Sequence, residues 1–129
     1  MSFTVTMQVG VTGFCMGGAL SFKAAVHCAE ISAAAPFYGV PAHNREELVR
    51  LRAPVQAHFG ELDDIVGVSS PADYQPVSEM LAAANAPYHL FTYPAGHGFT
   101  NPNNPTYSAE STALAFARLY DFMNKQLGP

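Results

Sequence analysis

The residue of this chain that is best suited to chemistry is Cys15. It lies in the pattern Gly13-Phe14-Cys15-Met16-Gly17, which is the G-x-S-x-G nucleophile elbow with sulfur in place of oxygen. The pattern predicts a strand, a tight turn with the cysteine at its tip and then a helix, and both glycines leave room for close backbone approach. At a helix start, free N–H groups favour a thiolate and can bind an oxyanion. The alternative is a buried structural cysteine in a glycine-rich turn.

A carboxylate and a histidine follow later in the chain, each just after a predicted strand. In this order, His97 would take the proton from Cys15 and return it to a leaving group, while a carboxylate would orient the imidazole. The spacing from Gly60 favours Asp63 as that carboxylate, and Asp64 would then be a solvated loop residue. The glycines on both sides of His97 suggest an unusual backbone that aims the ring. The alternative is a loop histidine without a role.

The elements that would position these residues alternate along the chain. The predicted strands cover residues 3–12, 31–38, 54–59 and 88–93, and the predicted helices cover 18–29, 44–51, 73–85 and 108–127. Because the strands are apolar runs separated by helices, they predict one α/β domain over residues 1–129, with a parallel sheet and helices on both faces. In such sheets, chemistry takes place at the carboxyl ends of the strands. The three candidate residues all follow predicted strands.

Hydrophobic spacing also predicts which helix residues are buried. In the helix over 18–29, Leu20 is expected on the inner side, and Cys28 is expected to be a small core residue. In the closing helix, Leu114 and Tyr120 are expected in the buried stripe. These expectations depend on the rotation of each helix about its axis.

Composition narrows the possible functions. The 129 residues are 49% hydrophobic and carry a net charge of −4 without a basic run, which argues against nucleic acid as a partner. No apolar stretch approaches the length of a membrane span, and the first residues lack the pattern of a signal peptide. The two cysteines are too far apart to pair, which favours a reducing, cytoplasmic location. The remaining histidines lack the spacing of metal ligands, so no metal is expected.

Four motifs in order resemble the dienelactone hydrolase family of the α/β-hydrolase superfamily. They are Gly13–Gly18, Phe37–Gly39, Gly60–Asp63 and Ala95–Phe99, and the chain order nucleophile, acid, histidine is also that of α/β-hydrolases. The resemblance implies a truncated α/β-hydrolase fold with about four mainly parallel strands. It further implies hydrolysis of small carboxylic esters or lactones through an acyl-enzyme, without a cofactor.

The resemblance also implies roles for individual residues. Cys15 would be the nucleophile, Asp63 the orienting acid and His97 the base, and the N–H of Met16 would bind the oxyanion. The substrate pocket would be lined by three further residues: Tyr38, Phe99 and Asn101. Asn101 stands where dienelactone-specific members have an arginine. Since an amide cannot grip a carboxylate as a guanidinium does, small neutral esters are expected as substrates.

The chain departs from the family because the strands before the elbow, and the loop that supplies a second oxyanion N–H, are absent from it. A missing oxyanion donor can lower the rate by about 10²–10³. Two alternatives therefore stay open, a non-catalytic half of a hydrolase that folds or dimerises, and a thiol redox protein. The absence also makes the first strand an edge, which predicts a homodimer through this N-terminal strand. The partner copy could then supply the second donor.

Overall fold

The computed structural model describes residues 7–128, in which four parallel strands form one sheet. The strands are β1 (Val9–Phe14), β2 (Ile31–Phe37), β3 (Val55–Gly60) and β4 (Tyr88–Tyr93), and the helices are α1 (Met16–His27), α2 (Pro71–Ala83) and α3 (Ala109–Leu127), with a 3₁₀ helix at Arg45–Arg50. The strand order is β1-β2-β3-β4, and every neighbouring pair is parallel. The predicted α/β class is thus confirmed. The first strand extends further towards Cys15 than predicted, and the part of the prediction that covers residues 3–6 lies outside the described residues.

Aromatic contacts place helices on both faces of the sheet. Phe37 of β2 lies beside His58 of β3 in register, and its ring centroid is 5.9 Å from that of Phe116 in α3. Phe59 is the next residue of β3, so its side chain points to the opposite face. There its ring centroid lies 4.9 Å from that of Tyr74 in α2. The prediction of helices on both faces is therefore correct.

The rotation of α1 differs from the prediction. Gly18 faces the sheet so closely that a Cβ atom there would lie 2.4 Å from the carbonyl oxygen of Phe37. Phe22 and Ala25 follow on the same side and are buried. Since each residue turns a helix by about 100°, Leu20 points away from this side and is 61% exposed. The expectation that Leu20 is buried is wrong, because the close approach at Gly18 sets which side of α1 meets the sheet.

The buried stripe predicted for α3 is wrong at Leu114 and Tyr120. Ala115 and Leu119, one turn apart, are buried, whereas Leu114 is 47% and Tyr120 is 62% exposed. The apolar residues of this helix extend over more than one face, so periodicity alone does not define its rotation. Within residues 7–128, no helix is both long enough and apolar enough to cross a membrane.

Cys28 is exposed, and the prediction that it belongs to the core is wrong. It lies immediately after the last residue of α1, where its backbone N–H donates to the carbonyl of Ala24. A residue at this position leaves the helical path, so its side chain no longer follows the buried face. Cys15 and Cys28 are both free thiols, as their spacing predicted.

The strand that leads into the elbow lies at an edge of the described sheet. Among residues 7–128, β1 pairs with β2 on one side and with no strand on the other. Two apolar residues of this strand are accessible, since Val9 is 37% and Phe14 is 42% exposed, and Met7, just before the strand, is 78% exposed. The expectation of an edge strand is confirmed for the described part of the chain.

Candidate active site

Cys15 lies at the sharp turn between β1 and α1. Its backbone has a φ of 59° and a ψ of −116°, a strained conformation for a residue with a side chain. Its N–H donates to the carbonyl of Phe37 at 3.0 Å. A Cβ atom at Gly13 would lie 2.2 Å from the carbonyl oxygen of Gly17, so this position requires glycine, whereas a Cβ atom at Gly17 would meet nothing within 4 Å. The elbow prediction therefore holds for Gly13 and is wrong for Gly17.

The elbow exposes the Cys15 thiol to solvent. This exposure excludes the alternative of a buried structural cysteine. The residue after it, Met16, is the first residue of α1, so its N–H has no carbonyl partner one turn earlier within the helix. An N–H group at this position can donate to an anion that forms next to the sulfur.

The structure brings together the cysteine and the histidine that the sequence singled out. Nε2 of His97 lies 3.3 Å from Sγ of Cys15, and Nδ1 of the same ring lies 2.9 Å from Oδ2 of Asp63. The three side chains come from the carboxyl ends of β1, β3 and β4, at separations of 34 and 82 residues along the chain. The arrangement can pass a proton from the thiol to the imidazole while the carboxylate stabilises the imidazolium.

Asp63 is suited to a fixed partner because its side chain is fully buried. Its second oxygen, Oδ1, accepts a hydrogen bond of 2.9 Å from the N–H of Ile65, which holds the carboxylate in place. Asp64 is exposed and has no such contact with His97. The structure thus places Asp63, and not its neighbour, next to the histidine.

The loop after β4 holds the histidine from its backbone side. Gly98 has a φ of 74°, which agrees with the expectation of an unusual backbone next to His97. Gly96 does not have a positive φ, so the expectation does not extend to that glycine. The carbonyl of His97 accepts hydrogen bonds from the side chains of Thr106 and Asn104. These bonds anchor the segment that carries the ring.

Sequence reasoning missed a second partner of the histidine. Oγ of Ser69 lies 2.8 Å from Nδ1 of His97, and Ser69 is fully buried. It lies in the loop just before α2, next to another serine, and nothing in its type or spacing distinguishes it in the sequence. Only the contact between two loops that are 28 residues apart in the chain shows it.

Two of the three predicted pocket residues lie next to the histidine. Tyr38 and Asn101 line a cavity of about 380 Å³ that also contains Cys15 and His97. Burial raises the pKa of the Tyr38 hydroxyl, and its hydrogen bond of 2.7 Å with Thr100 partly offsets this rise. The hydroxyl therefore stays protonated and fixed at the wall of the cavity.

Phe99 does not line this cavity, so its assignment to the substrate pocket is wrong. The residue is completely buried. Its ring lies 5.4 Å from that of Tyr38 and 5.1 Å from that of Tyr93. Phe99 supports the pocket wall from the core through the contact of its ring with that of Tyr38.

A second, apolar cavity of about 570 Å³ meets the first at the thiol. It runs along the exposed side of α1, and its walls include Met16, Leu20, Val40 and Ala42 together with Cys15. Among residues 7–128, no group of histidine, cysteine and acidic side chains has the arrangement of a metal site. The side chains at the strand ends are those of acyl transfer chemistry, a thiol, a base and an acid.

The fold and the strand-end site define a class of protein, that of the α/β-hydrolases with a nucleophile elbow. The model of the dienelactone hydrolase family matches residues 1–127, and the chain belongs to this family. Among curated proteins, a carboxymethylenebutenolidase from a Pseudomonas species is 31% identical over 118 residues, which are 91% of this chain and 48% of that protein. The chain spans about half the length of the curated relatives it matches.

Solved structures agree with this assignment. A Klebsiella pneumoniae protein, solved as a candidate dienelactone hydrolase, is 30% identical with a TM-score of 0.80 over 90% of this chain and 51% of that one. A dienelactone hydrolase-like promiscuous phosphotriesterase from metagenomic libraries has a TM-score of 0.76 at 21% identity, covering 92% of this chain and 52% of that one. The second likeness shows the fold alone.

Proposed function

We propose that this chain is a carboxylic ester hydrolase that uses Cys15 as nucleophile, His97 as base and Asp63 as orienting acid. The observation that supports the proposal most strongly is the contact of 3.3 Å between Sγ of Cys15 and Nε2 of His97. Membership of the dienelactone hydrolase family supports the same reaction class. The proposed substrates are small neutral esters or lactones, and the proposed reaction needs no cofactor.

In the first half of the reaction, the sulfur of Cys15 attacks the carbonyl carbon of the ester and its proton moves to Nε2 of His97. The bond between that carbon and the leaving oxygen then breaks, and Nε2 returns the proton to the leaving alcohol. In the second half, His97 takes a proton from water, and the water oxygen attacks the thioester. The bond between the carbonyl carbon and the sulfur then breaks, Nε2 of His97 returns its proton to the sulfur, and the carboxylic acid leaves, so that atoms and charge balance.

The charge that develops on the carbonyl oxygen needs hydrogen-bond donors. In this proposal the N–H of Met16 supplies one donor at the start of α1, as its position after the nucleophile predicts. With one donor alone, the rate would be about 10²–10³ below that of a complete oxyanion hole. The chain is therefore expected to be a slow enzyme unless a second donor reaches the site.

The test is hydrolysis of 4-nitrophenyl acetate by the wild-type chain and by Cys15→Ala and His97→Ala. Each substitution is expected to lower kcat/KM by about 10²–10⁴, since each removes a group that takes part in bond making or proton transfer. The acyl-enzyme is expected as a mass increase of one acetyl group on the peptide that contains Cys15.

Cys28→Ala is the matched control, because Cys28 is the other exposed free thiol. It is expected to hydrolyse the ester like the wild type. If all four proteins show the same slow rate, the proposal is wrong and the chain is a non-catalytic half of the fold. If peroxide modifies Cys15 while no ester is hydrolysed, a thiol redox role replaces the proposed hydrolase function.

We also propose that two copies pair through β1, in a reducing, cytoplasmic setting. The open edge of β1, with Val9 and Phe14 exposed in the strand and Met7 exposed just before it, supports an identical strand as the partner. Two free, exposed thiols support the reducing location. Light scattering after size exclusion tests the dimer, and a mass equal to one chain would contradict it.

A further inference from the structure

The candidate nucleophile lies at the junction of two cavities of different character. On the histidine side, the lining of the cavity of about 380 Å³ includes the polar side chains of Thr100, Asn101 and Asn104 beside the ring of Phe14. On the α1 side, the cavity of about 570 Å³ is lined mainly by apolar side chains. An ester also has two sides, an acyl group and an alcohol, so the question is which side enters which cavity.

The position of the base answers this question. The histidine must return its proton to the leaving oxygen, so the alcohol has to lie within hydrogen-bond reach of Nε2 of His97. His97 lines the cavity that also contains Asn101, and it does not line the apolar cavity. In the tetrahedral intermediate the oxyanion faces the N–H of Met16 and the leaving oxygen faces His97, so the acyl group takes the remaining direction, away from the histidine. The apolar cavity lies on that side.

On this basis we propose that the apolar cavity beside α1 binds the acyl chain of the substrate, and that the polar cavity binds a short, polar alcohol. This inference rests on the proposed ester hydrolysis and adds the substrate class to it. The acyl chain lies along Met16, Ala19 and Leu20, with Val40 and Ala42 on its other side. The preferred substrates are esters of medium-length, unbranched acids.

The length of the apolar cavity sets the length of the acyl chain that it can bind. Met16 and Lys23 both line it. Lys23 lies seven positions after Met16 in α1, which corresponds to a distance of about 10 Å along the helix. An extended acyl chain of about six to eight carbons has this length. Burial of each methylene raises kcat/KM by up to about fourfold, because it removes apolar surface from water.

The far end of the cavity does not select for an anion. The ammonium group of Lys23 is already paired with the carboxylate of Glu47 and also donates to the carbonyl of His43. Its hydrogen bond to Glu47, together with that of His27, lowers the pKa of the Glu47 carboxyl, so this partner stays charged. The lysine therefore presents its aliphatic stem to the cavity. An uncharged chain end fits this surface better than a second carboxylate does.

The proposed role of the apolar cavity can be tested through the exposed leucine of α1. Leu20 is 61% exposed although it is a large apolar residue, and its side chain forms part of the cavity wall. Leu20→Asp places a charge where the acyl chain would lie, and Ala42→Trp fills the same space from the opposite loop. Leu114→Asp is the matched control, since Leu114 is exposed to a similar degree on α3 and lines neither cavity.

The first experiment measures kcat/KM for 4-nitrophenyl esters from acetyl to octanoyl, and for acetyl esters of alcohols from ethanol to octanol. We expect kcat/KM to rise about two- to fourfold per methylene up to the hexanoyl ester, and to stay level or fall from ethanol to octanol. Leu20→Asp and Ala42→Trp are expected to lower the ratio of octanoyl to acetyl rates at least tenfold, and Leu114→Asp to leave it unchanged. A flat acyl series, or a preference for long alcohols, would overturn the assignment while leaving ester hydrolysis intact.

A second experiment does not depend on turnover. In the Cys15→Ala variant, hexanamide is expected to shift the backbone NMR signals of Ala19, Leu20 and Ala42 in a saturable manner, and acetamide is not. If the wild type hydrolyses no ester, the proposed function fails, and this titration still decides what the cavity binds. Shifts confined to Asn101 and Asn104, or no shifts at all, would contradict an acyl site beside α1.

Discussion

Within residues 7–128, His58 and His97 each have both ring nitrogens within hydrogen-bond distance of a partner, and the two differ in burial and in the chemistry of those partners. His58 lies in the middle of the sheet and is completely buried, while the side chain of His97 at the strand ends is 22% exposed. Nδ1 of His58 is 2.7 Å from the hydroxyl of Tyr93, and its Nε2 is 2.8 Å from Oε1 of Gln56. The partners of His97 are the carboxylate of Asp63, the thiol of Cys15 and the hydroxyl of Ser69.

The difference shows that the partners and the access of water, rather than the residue type, determine what a histidine can do. Burial, assisted by the positive charge of Arg118 and by His89, lowers the pKa of His58 to about 3. This ring is therefore neutral and serves as a donor and an acceptor between Phe37 and Phe91, whose centroids lie 4.4 and 5.8 Å away. At the strand ends, a buried carboxylate is available to stabilise a positive ring.

The largest expected effect on activity comes from replacing the carboxylate at the strand ends. Asp63→Asn is expected to lower kcat/KM for ester hydrolysis by about 10²–10⁴, because an amide can stabilise the wrong tautomer of His97 and cannot balance the imidazolium. Asp64→Asn changes the adjacent, exposed carboxylate in the same way and is expected to leave the rate unchanged. Equal losses in the two variants would remove Asp63 from the proposed mechanism.

The next prediction concerns the histidine in the core and the stability of the fold. His58→Ala is expected to lower the free energy of unfolding by about 2–4 kcal/mol, since it leaves a cavity and removes the partner of the buried Tyr93 hydroxyl. Urea denaturation followed by circular dichroism measures this change. His89→Ala, on the exposed side of β4, is expected to change it by no more than about 0.5 kcal/mol. A stable His58→Ala protein would show that the hydrogen bonds of this ring contribute little.

A third prediction concerns how the stability that His58 contributes depends on pH. The folded pKa of His58, about 3, lies below the ordinary value of 6.5, so between these values the unfolded chain binds more protons than the folded one. Stability from this residue is therefore full above pH 6.5 and is lost as the pH falls towards 3, by up to about 1.4 kcal/mol per pH unit. Urea denaturation of the wild type and His58→Phe between pH 7 and 4 measures the difference in slope. Parallel curves would contradict the low pKa.

The smallest expected effect concerns the second partner of His97. Ser69→Ala is expected to lower kcat/KM by about two- to tenfold, the contribution of one neutral hydrogen bond. Asp63 remains in place and still determines the tautomer, so the shape of the pH–rate profile is expected to stay the same. A loss as large as that of Asp63→Asn would mean that the hydroxyl, rather than the carboxylate, orients the ring.

Much of the fold could be predicted because its signals are local. The alternation of apolar strands and helices predicted the parallel sheet, and the glycine pattern around Cys15 predicted the elbow. The preference for Asp63 over Asp64 also agrees with the contact to His97 in the structure. These features depend on backbone conformation within a few residues, which residue type strongly restricts.

Features that depend on packing between distant segments could not be predicted. The sides of α1 and α3 that meet the sheet are set by close approaches such as that of Gly18 to Phe37, so Leu20 and Leu114 were expected inside and are exposed. Phe99, expected in the substrate pocket, lies in the core because its ring packs against the rings of Tyr38 and Tyr93 from other segments of the chain. Periodicity predicts that a helix has a buried stripe, but several apolar positions compete for it.

The sequence alone indicated the family, the alternation of strands and helices, and the three candidate residues at the strand ends, because each motif that carries them lies within a few residues. Only the tertiary structure decided that Ser69 reaches His97, that His58 is sealed in the core, and that two unlike cavities meet at Cys15. These contacts join loops and helices that are far apart in the chain. Their geometry is determined by the packing of the whole sheet and its helices, and no single segment contains that information.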